Sequence, residues 1–268
     1  MKKITLLTLI SFFLLFIPGC TNKKQTEHNI SSGALRKEVF ALVSSAENST
    51  LDYSKQYSYI EDIHDGRGYT AGIIGFTSKN GDLLDVIRYY THLSPHNPLK
   101  KYIPALEQVK STSSHKGLGS NFVKEWKKVG RSSKMIQAQN HILNKQYMEP
   151  AISNATKDHL SPLGQYIYYD ALVVHGDGMD PDSFGGIRKA ARAKAKTPSQ
   201  GGSETHYLNT FLKVRAKVMQ KEEAHQDLSR INTQRKFIKE KKWNLQLPLA
   251  WTMYGDHFYL TQDKLKHL

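Results

Sequence analysis

The segment from Tyr59 to Gly72 constrains this chain more than any other. It brings Glu61, Asp62 and Asp65 together with Gly66, Gly68, Gly72 and the Thr70 hydroxyl. Glycine costs a helix interior about 1 kcal/mol relative to alanine, so this stretch is too glycine-rich for a core helix. Just before it, Ala34 to Glu47 places Leu35, Val39, Leu42, Val43 and Ala46 on one face. That is the period of a helix, and it runs out at Asn48-Ser49. One acid therefore ends a helix while others follow in an irregular segment. Two acids on separate elements across a cleft are what hydrolysis of a glycosidic bond needs. One protonates the leaving oxygen; the other activates water or attacks the sugar.

Most of the remaining pattern is helical. Asp82 can cap a helix from Leu83 to Tyr90, and Asn97-Pro98 starts another from Leu99 to Val109, broken or restarted near Pro104. Further helical stretches run from about Asn121 to Val129, Lys134 to Tyr147, Pro162 to Val174, Ser183 to Lys196, Glu204 to His225 and Asn232 to Lys242. Ala71 to Thr77 reads as a short β run, and the aromatic Leu249 to Leu260 as extended chain. The expected fold is mainly α (α+β), with a small β region near residues 59–78. Ser111 to Gly119 and Thr197 to Ser203 are candidate hinges between lobes.

With 268 residues, the chain suffices for one domain of two lobes. Lys2 and Lys3 precede an apolar run from Ile4 to Pro18, shorter than the ~20 residues of a spanning helix, which reads as an export signal. The sole cysteine, Cys20, closes that run as Ile17-Pro18-Gly19-Cys20, which resembles a bacterial lipoprotein cleavage site. Residues 1–19 are thus expected to be a signal peptide, 20–33 a lipidated cysteine and polar tether, and 34–268 the catalytic domain. The protein is expected outside the cell, released or held at the envelope through Cys20. An ordinary signal peptide with an incidental cysteine is the other reading. No second cysteine exists, so a hydrophobic core rather than a disulfide must hold the fold.

The formal charge of +14 suggests an anionic partner, but its distribution does not. From Ala46 to Ile87 there are seven acids (Glu47, Asp52, Glu61, Asp62, Asp65, Asp82, Asp85) against Lys55, Arg67 and Lys79. A locally acidic site on a basic body suggests a cationic substrate.

Ser44-Ser45-Ala46-Glu47-Asn48-Ser49, Tyr59-Ile60-Glu61-Asp62 and Asp65-Gly66-Arg67-Gly68-Tyr69-Thr70-Ala71-Gly72-Ile73-Ile74-Gly75-Phe76 closely resemble the chitosanases of glycoside hydrolase family 46. The likeness continues in collinear order through Gly81-Asp82, Tyr168-Tyr169-Asp170-Ala171, Ser183-Phe184-Gly185-Gly186-Ile187-Arg188, Thr197-Pro198-Ser199-Gln200-Gly201-Gly202 and Tyr254-Gly255-Asp256. The resemblance implies a lysozyme-like fold of two lobes around a cleft. It also implies endo-hydrolysis of β-1,4 links between glucosamine units of chitosan, with inversion. Glu47 then falls on the general acid, Asp65 on the general base and Thr70 on the residue that helps hold the attacking water. Asp82 falls on an acid that binds a glucosamine amine, and Asp170, Arg215 and Arg230 on an ion-pair network behind the acid. Tyr59, Arg67, Tyr147 and Glu222 are weaker candidates for substrate contact.

The residues read alone are compatible with these roles. Glu47 lies close to its helix's apolar face, where burial would disfavour the anion and keep the proton an acid must give. Asp65 sits in a glycine-flanked loop, where backbone amides and water can keep it ionised. Taken singly, Glu47 could equally be a solvated helix-terminal glutamate and Asp65 a turn aspartate before Gly66. Three departures from the family pattern stand near the site: His64 beside Asp65, Lys79-Asn80 before Gly81-Asp82, and Gln226 near Glu222.

No organic cofactor and no metal is expected. Gly66-Arg67-Gly68 lacks dinucleotide-loop spacing, Pro95 breaks the helix that His92 and His96 would share, and Asp177, Asp180 and Asp182 lack calcium-loop spacing. The expected partner is chitosan, without nucleic acid, bound by a monomer that meets a membrane only through Cys20. Two other readings stay open. One is a related glycosidase acting on chitin or peptidoglycan. The other is a non-catalytic basic surface lipoprotein that binds anionic polymer.

Overall fold

The computed structural model describes residues 29–221 and 226–268. The expected signal segment, Cys20 and Glu222 lie outside the described residues. Within them the chain forms helices α1 (Gly33–Asn48), α2 (Asp82–Leu93), α3 (Ile103–Val109), α4 (Gly119–Val129), α5 (Ser133–Leu143), α6 (Glu149–Lys157), α7 (Pro162–His175), α8 (Phe184–Arg192), α9 (Glu204–Met219), α10 (Ser229–Lys239) and α11 (Gln262–Lys266). Five strands complete it: β1 (Ile60–Asp62), β2 (Tyr69–Ala71), β3 (Phe76–Thr77), β4 (Leu249–Met253) and β5 (Asp256–Leu260).

Two groups of elements pack separately. Strands β1, β2 and β3 form an antiparallel sheet lying among α2, α4 and the 3-10 turn Tyr53–Ser58. Helices α6 to α10 pack on one another and on the β4–β5 hairpin. The two groups are joined through α1, which touches both the Tyr53–Ser58 turn and α7, and through the continuous helical run from α5 into α6. Helix α7 is the centre of the second group: Leu163, Tyr166, Ile167, Tyr168, Tyr169, Ala171 and Leu172 are all fully buried. A helix apolar all round is a buried one, and α7 is wrapped by α1, α6, α8 and α10.

Several details differ from the sequence reading. Ala71 to Thr77 is a strand, a turn and a second strand, because Gly72 and Gly75 take φ of +78° and +72° and Gly75 donates back to the Gly72 carbonyl. The helix from Lys134 does not stop at Tyr147. It widens into a π turn over Asn144–Met148 and continues as α6 past Pro150. Proline offers no N–H, and the widened turn ahead of it absorbs the missing bond. Gly81, not Asp82, caps α2; Asp82 is its first residue and accepts from the Leu83 amide. The C-terminal extended segment turns back on itself at Tyr254–Gly255 and forms a hairpin of β4 and β5.

Two polar anchors fix the site elements onto this frame. Gln139 of α5, fully buried, accepts from the Ile73 amide and donates to the Tyr57 carbonyl, which ties the β2–β3 turn to the helix beneath it. Trp251 of β4 donates from Nε1 to the Ser45 hydroxyl at 2.9 Å, which sets the hairpin against α1 two residues before Glu47.

Candidate active site

Glu47 is the next-to-last residue of α1. It is not buried as expected: its side chain is 36% exposed, and Oε1 accepts from Arg230 Nη2 at 2.5 Å. The apolar face of α1 ends at Ala46, so the carboxylate projects past the core. Its surroundings are therefore set by an arginine rather than by exclusion of water.

Arg230 is held from behind. Its Nε donates to Asp170 Oδ1 at 2.8 Å, while Arg215 Nη1 donates to Asp170 Oδ2 at 2.7 Å. Gln234 Nε2 donates to the same Oδ2 at 2.8 Å and its Oε1 accepts from Arg215. Asp170 and Arg215 are fully buried and Arg230 nearly so. Burial alone would push the Asp170 carboxyl up, but Arg230 and Arg215 outweigh it and hold it at about 2. Burial would likewise lower Arg230; Asp170 and Glu47 overcome it and raise it well above the usual arginine range. The chain Arg215–Asp170–Arg230–Glu47 is thus an alternating line of charges that ends at an exposed carboxylate. Tyr254 lies close enough for Arg230 and Glu47 to act on its phenol, presented by the two-residue turn Tyr254–Gly255, where both φ angles are positive.

The second acid stands on the other group of elements. Strands β1 and β2 pair with Ile60 opposite Ala71, Glu61 opposite Thr70 and Asp62 opposite Tyr69. Asp65 is in the loop that joins them. Its Oδ1 accepts from the Arg67 amide at 3.0 Å, and its Oδ2 accepts from Arg67 Nε at 2.6 Å. Gly66 between them takes φ +78°, which lets the backbone fold onto the carboxylate. Arg67 is thereby committed to Asp65. Lys79 does not point an unpaired cation into the site: its ammonium donates to the Gly66 carbonyl at 3.2 Å and braces the same loop. His64, at φ +58°, turns its ring toward Asp62.

Thr70 is buried on β2, and its hydroxyl has no hydrogen-bond partner among the described residues. Asp82 is buried too. Its Oδ1 accepts from the amides of Thr77 and Leu83, and its Oδ2 accepts from the Tyr147 hydroxyl at 3.0 Å. Burial raises its carboxyl to about 6 against these three bonds. Tyr147 stands in the π turn, and Tyr59 donates to Glu61 Oε2 at 3.2 Å. Gln234 and Gln139 carry this geometry without having been singled out from sequence, and Tyr254 entered there only within a family motif, with no role given to it. Among the described residues no group of acids, histidines or cysteines is arranged to hold a metal ion.

Residues 41–249 match the family described as Glycosyl hydrolase family 46. A chitosanase of Streptomyces sp. (strain N174) is 53% identical over 227 residues, covering 84% of this chain and 82% of that protein. A chitosanase of Bacillus subtilis (strain 168) is 35% identical over 228 residues, 80% of each chain. A solved chitosanase co-crystallised with substrate superposes with a TM-score of 0.84 at 47% identity, over 87% of this chain and 99% of that one. A family 46 chitosanase of Gynuella sunshinyii in complex with chitotetraose gives 0.79 at 31% identity, over 85% and 98%.

The buried network makes a stability prediction. Asp170→Asn leaves the buried Arg215 without its counter-charge and Arg230 with Glu47 alone, and should cost about 3–5 kcal/mol at pH 7 in urea unfolding. The Asp170 carboxyl is depressed to about 2 from the ~3.9 of an unfolded chain, so its stabilisation is present above pH ~4 and lost as pH falls through 2. The gap between wild type and variant should therefore narrow on acidification. A gap independent of pH contradicts the ion-pair account.

Proposed function

The chain belongs to glycosyl hydrolase family 46, and we propose that Glu47 and Asp65 carry out its chemistry, the endo-hydrolysis of β-1,4 links between glucosamine units of chitosan with inversion. Glu47 gives its proton to the leaving glycosidic oxygen, and Asp65 takes a proton from the water that attacks the anomeric carbon. For Glu47 to deliver a proton its contact with Arg230 must loosen. Asp170 behind Arg230 keeps that guanidinium paired while it does.

The observation that carries this reading is the Thr70 hydroxyl. A buried hydroxyl without a partner costs about 1–3 kcal/mol, which is tolerable where a water or ligand satisfies it. It stands on the strand that leaves the loop bearing Asp65. Thr70 therefore positions the nucleophilic water, and Asp65, locked in one orientation by Arg67, deprotonates it. No metal or organic cofactor enters the scheme. One chain supplies every named group, so a monomer suffices. A polymer substrate of this kind is met outside the cell, and the export expected from residues 1–19 belongs to the same proposal; an intact N-terminus on the mature protein removes it.

Asp82 supplies recognition. Its ionised carboxylate, backed by two amides and the Tyr147 hydroxyl, is a counter-charge for the ammonium that distinguishes glucosamine from its N-acetylated form. Chitin and peptidoglycan, whose sugars carry amides at that position, gain nothing from it.

Glu47→Gln and Asp65→Asn should each lower turnover on chitosan by several orders of magnitude while glucosamine oligomers still bind. Thr70→Val should fall less, since it loses only a water-positioning bond. Near-normal turnover in either acid variant, measured by release of reducing ends, contradicts the assignment. With Glu47→Gln as the non-hydrolysing background, oligomer affinity should weaken as pH drops through about 6, where Asp82 takes up its proton. Asp82→Asn should bind weaker by about 1.5–3 kcal/mol at pH 7 and lose that pH dependence. Because the folded carboxyl is raised above the ~3.9 of the unfolded chain, ionising it costs stability as pH climbs from about 4 to 6. The same variant should thus melt no earlier than wild type at pH 7, and an unchanged binding isotherm would leave Asp82 a structural residue only.

A further inference from the structure

A cationic substrate and an acidic site leave the protein's strong positive charge without a role in the reaction. Much of it lies between Phe184 and Lys221, where nine cations face the single acid Glu204. Some are used internally: Arg188 and Arg192 hold the buried Asp158, Arg215 holds Asp170, and Lys221 pairs with Asp182. Among the described residues, Lys194, Lys213 and Lys217 are exposed and have no carboxylate within ion-pair distance.

These three converge. Together with His206, Thr210 and Val214 they line a concavity of about 300 Å³ between the chain leaving α8 and one face of α9. On α9, positions 206, 210, 213 and 217 follow one another at three- and four-residue steps, so they share a face roughly 16 Å long. Lys213 and Lys217, four apart, repel each other at a cost of a few tenths of a kcal/mol. A face built only for solubility intersperses the two signs, and this one does not.

We propose that this groove is a docking site for an extended anionic polymer whose charges are phosphate groups. Lysine ammoniums are compact point charges that suit phosphate without demanding a planar partner. The site is concave, and its α9 wall runs roughly 16 Å, which suits a chain. Among the described residues the exposed large apolar side chains are Ile63, Met179, Tyr254 and Tyr259, none of which lines the groove. Its one ring is the His206 imidazole and its one apolar side chain is Val214, so it offers no series of rings on which successive nucleic-acid bases could stack and no apolar wedge for a bilayer. Such a site would hold the enzyme on a phosphate-rich surface while repelling chitosan toward its own acidic site.

The probe is long-chain inorganic polyphosphate, titrated into the enzyme at several salt concentrations. Binding should weaken with salt along a log–log slope of about −2 to −3, as expected for roughly three released counter-ions. The triple change Lys194→Gln, Lys213→Gln, Lys217→Gln should reduce affinity about tenfold or more. The control triple Lys124→Gln, Lys127→Gln, Lys128→Gln on α4 should reduce it less than about threefold, through net charge alone. Turnover of short glucosamine oligomers should be unchanged in both. Three outcomes overturn the proposal: a wild-type slope near zero, equal losses in the two triples, or tighter binding of anionic vesicles or single-stranded DNA than of polyphosphate through the same lysines.

Discussion

A carboxylate buried in the middle of an apolar helix has to be neutralised, and Asp170 is neutralised by two arginines that arrive from different helices. That requirement organises the whole second group of elements. Helix α9 must approach α7 closely enough for Arg215, α10 must approach closely enough for Arg230 and Gln234, and α10 in turn carries the β4–β5 hairpin. With Nε of Arg230 committed to Asp170, its Nη2 meets Glu47. The position of the acid is thus inherited from the interior. A buried ion pair often adds little net stability, but removing one partner is costly. Its value here lies in fixing where one exposed carboxylate stands.

The proposed base, Asp65, is fixed by a different device. Asp65 has no interior behind it, so its orientation comes from its own loop: the Arg67 amide and guanidinium on the carboxylate, and Lys79 on the Gly66 carbonyl. Gln139 holds the turn that follows. The first acid is rigid through the core and the second through local hydrogen bonds. A difference of this kind suits a site that must admit a polymer and a water between its two carboxyls.

The family motifs in the sequence were enough to single out the acids, Thr70 and Asp82, because each lies in a long run of residues whose order is itself informative. The amphipathic period likewise placed α1, and the helical stretch from Pro162 matched α7, each within two residues. The surroundings of Glu47 were not legible. The helix pattern put it near the apolar face, but only tertiary packing decides that the face ends at Ala46 and that Arg230 stands opposite. Gln139 and Gln234 escaped notice because a buried glutamine has no sequence signature; its role exists only once distant backbone or charge is brought to it. Helix α6 was missed because Pro150 normally ends a helix, and the π turn that accommodates it leaves no trace in composition.

The central claim is that Asp65 and Thr70 place a water opposite the acid Glu47, so that the sugar is attacked from the face away from its leaving group. Proton NMR of a fresh digest of β-linked glucosamine polymer tests it directly, because the first product is seen before mutarotation mixes the anomers. The account predicts that the α-anomer appears first. Initial appearance of the β-anomer would mean a covalent intermediate on the enzyme, and would contradict it.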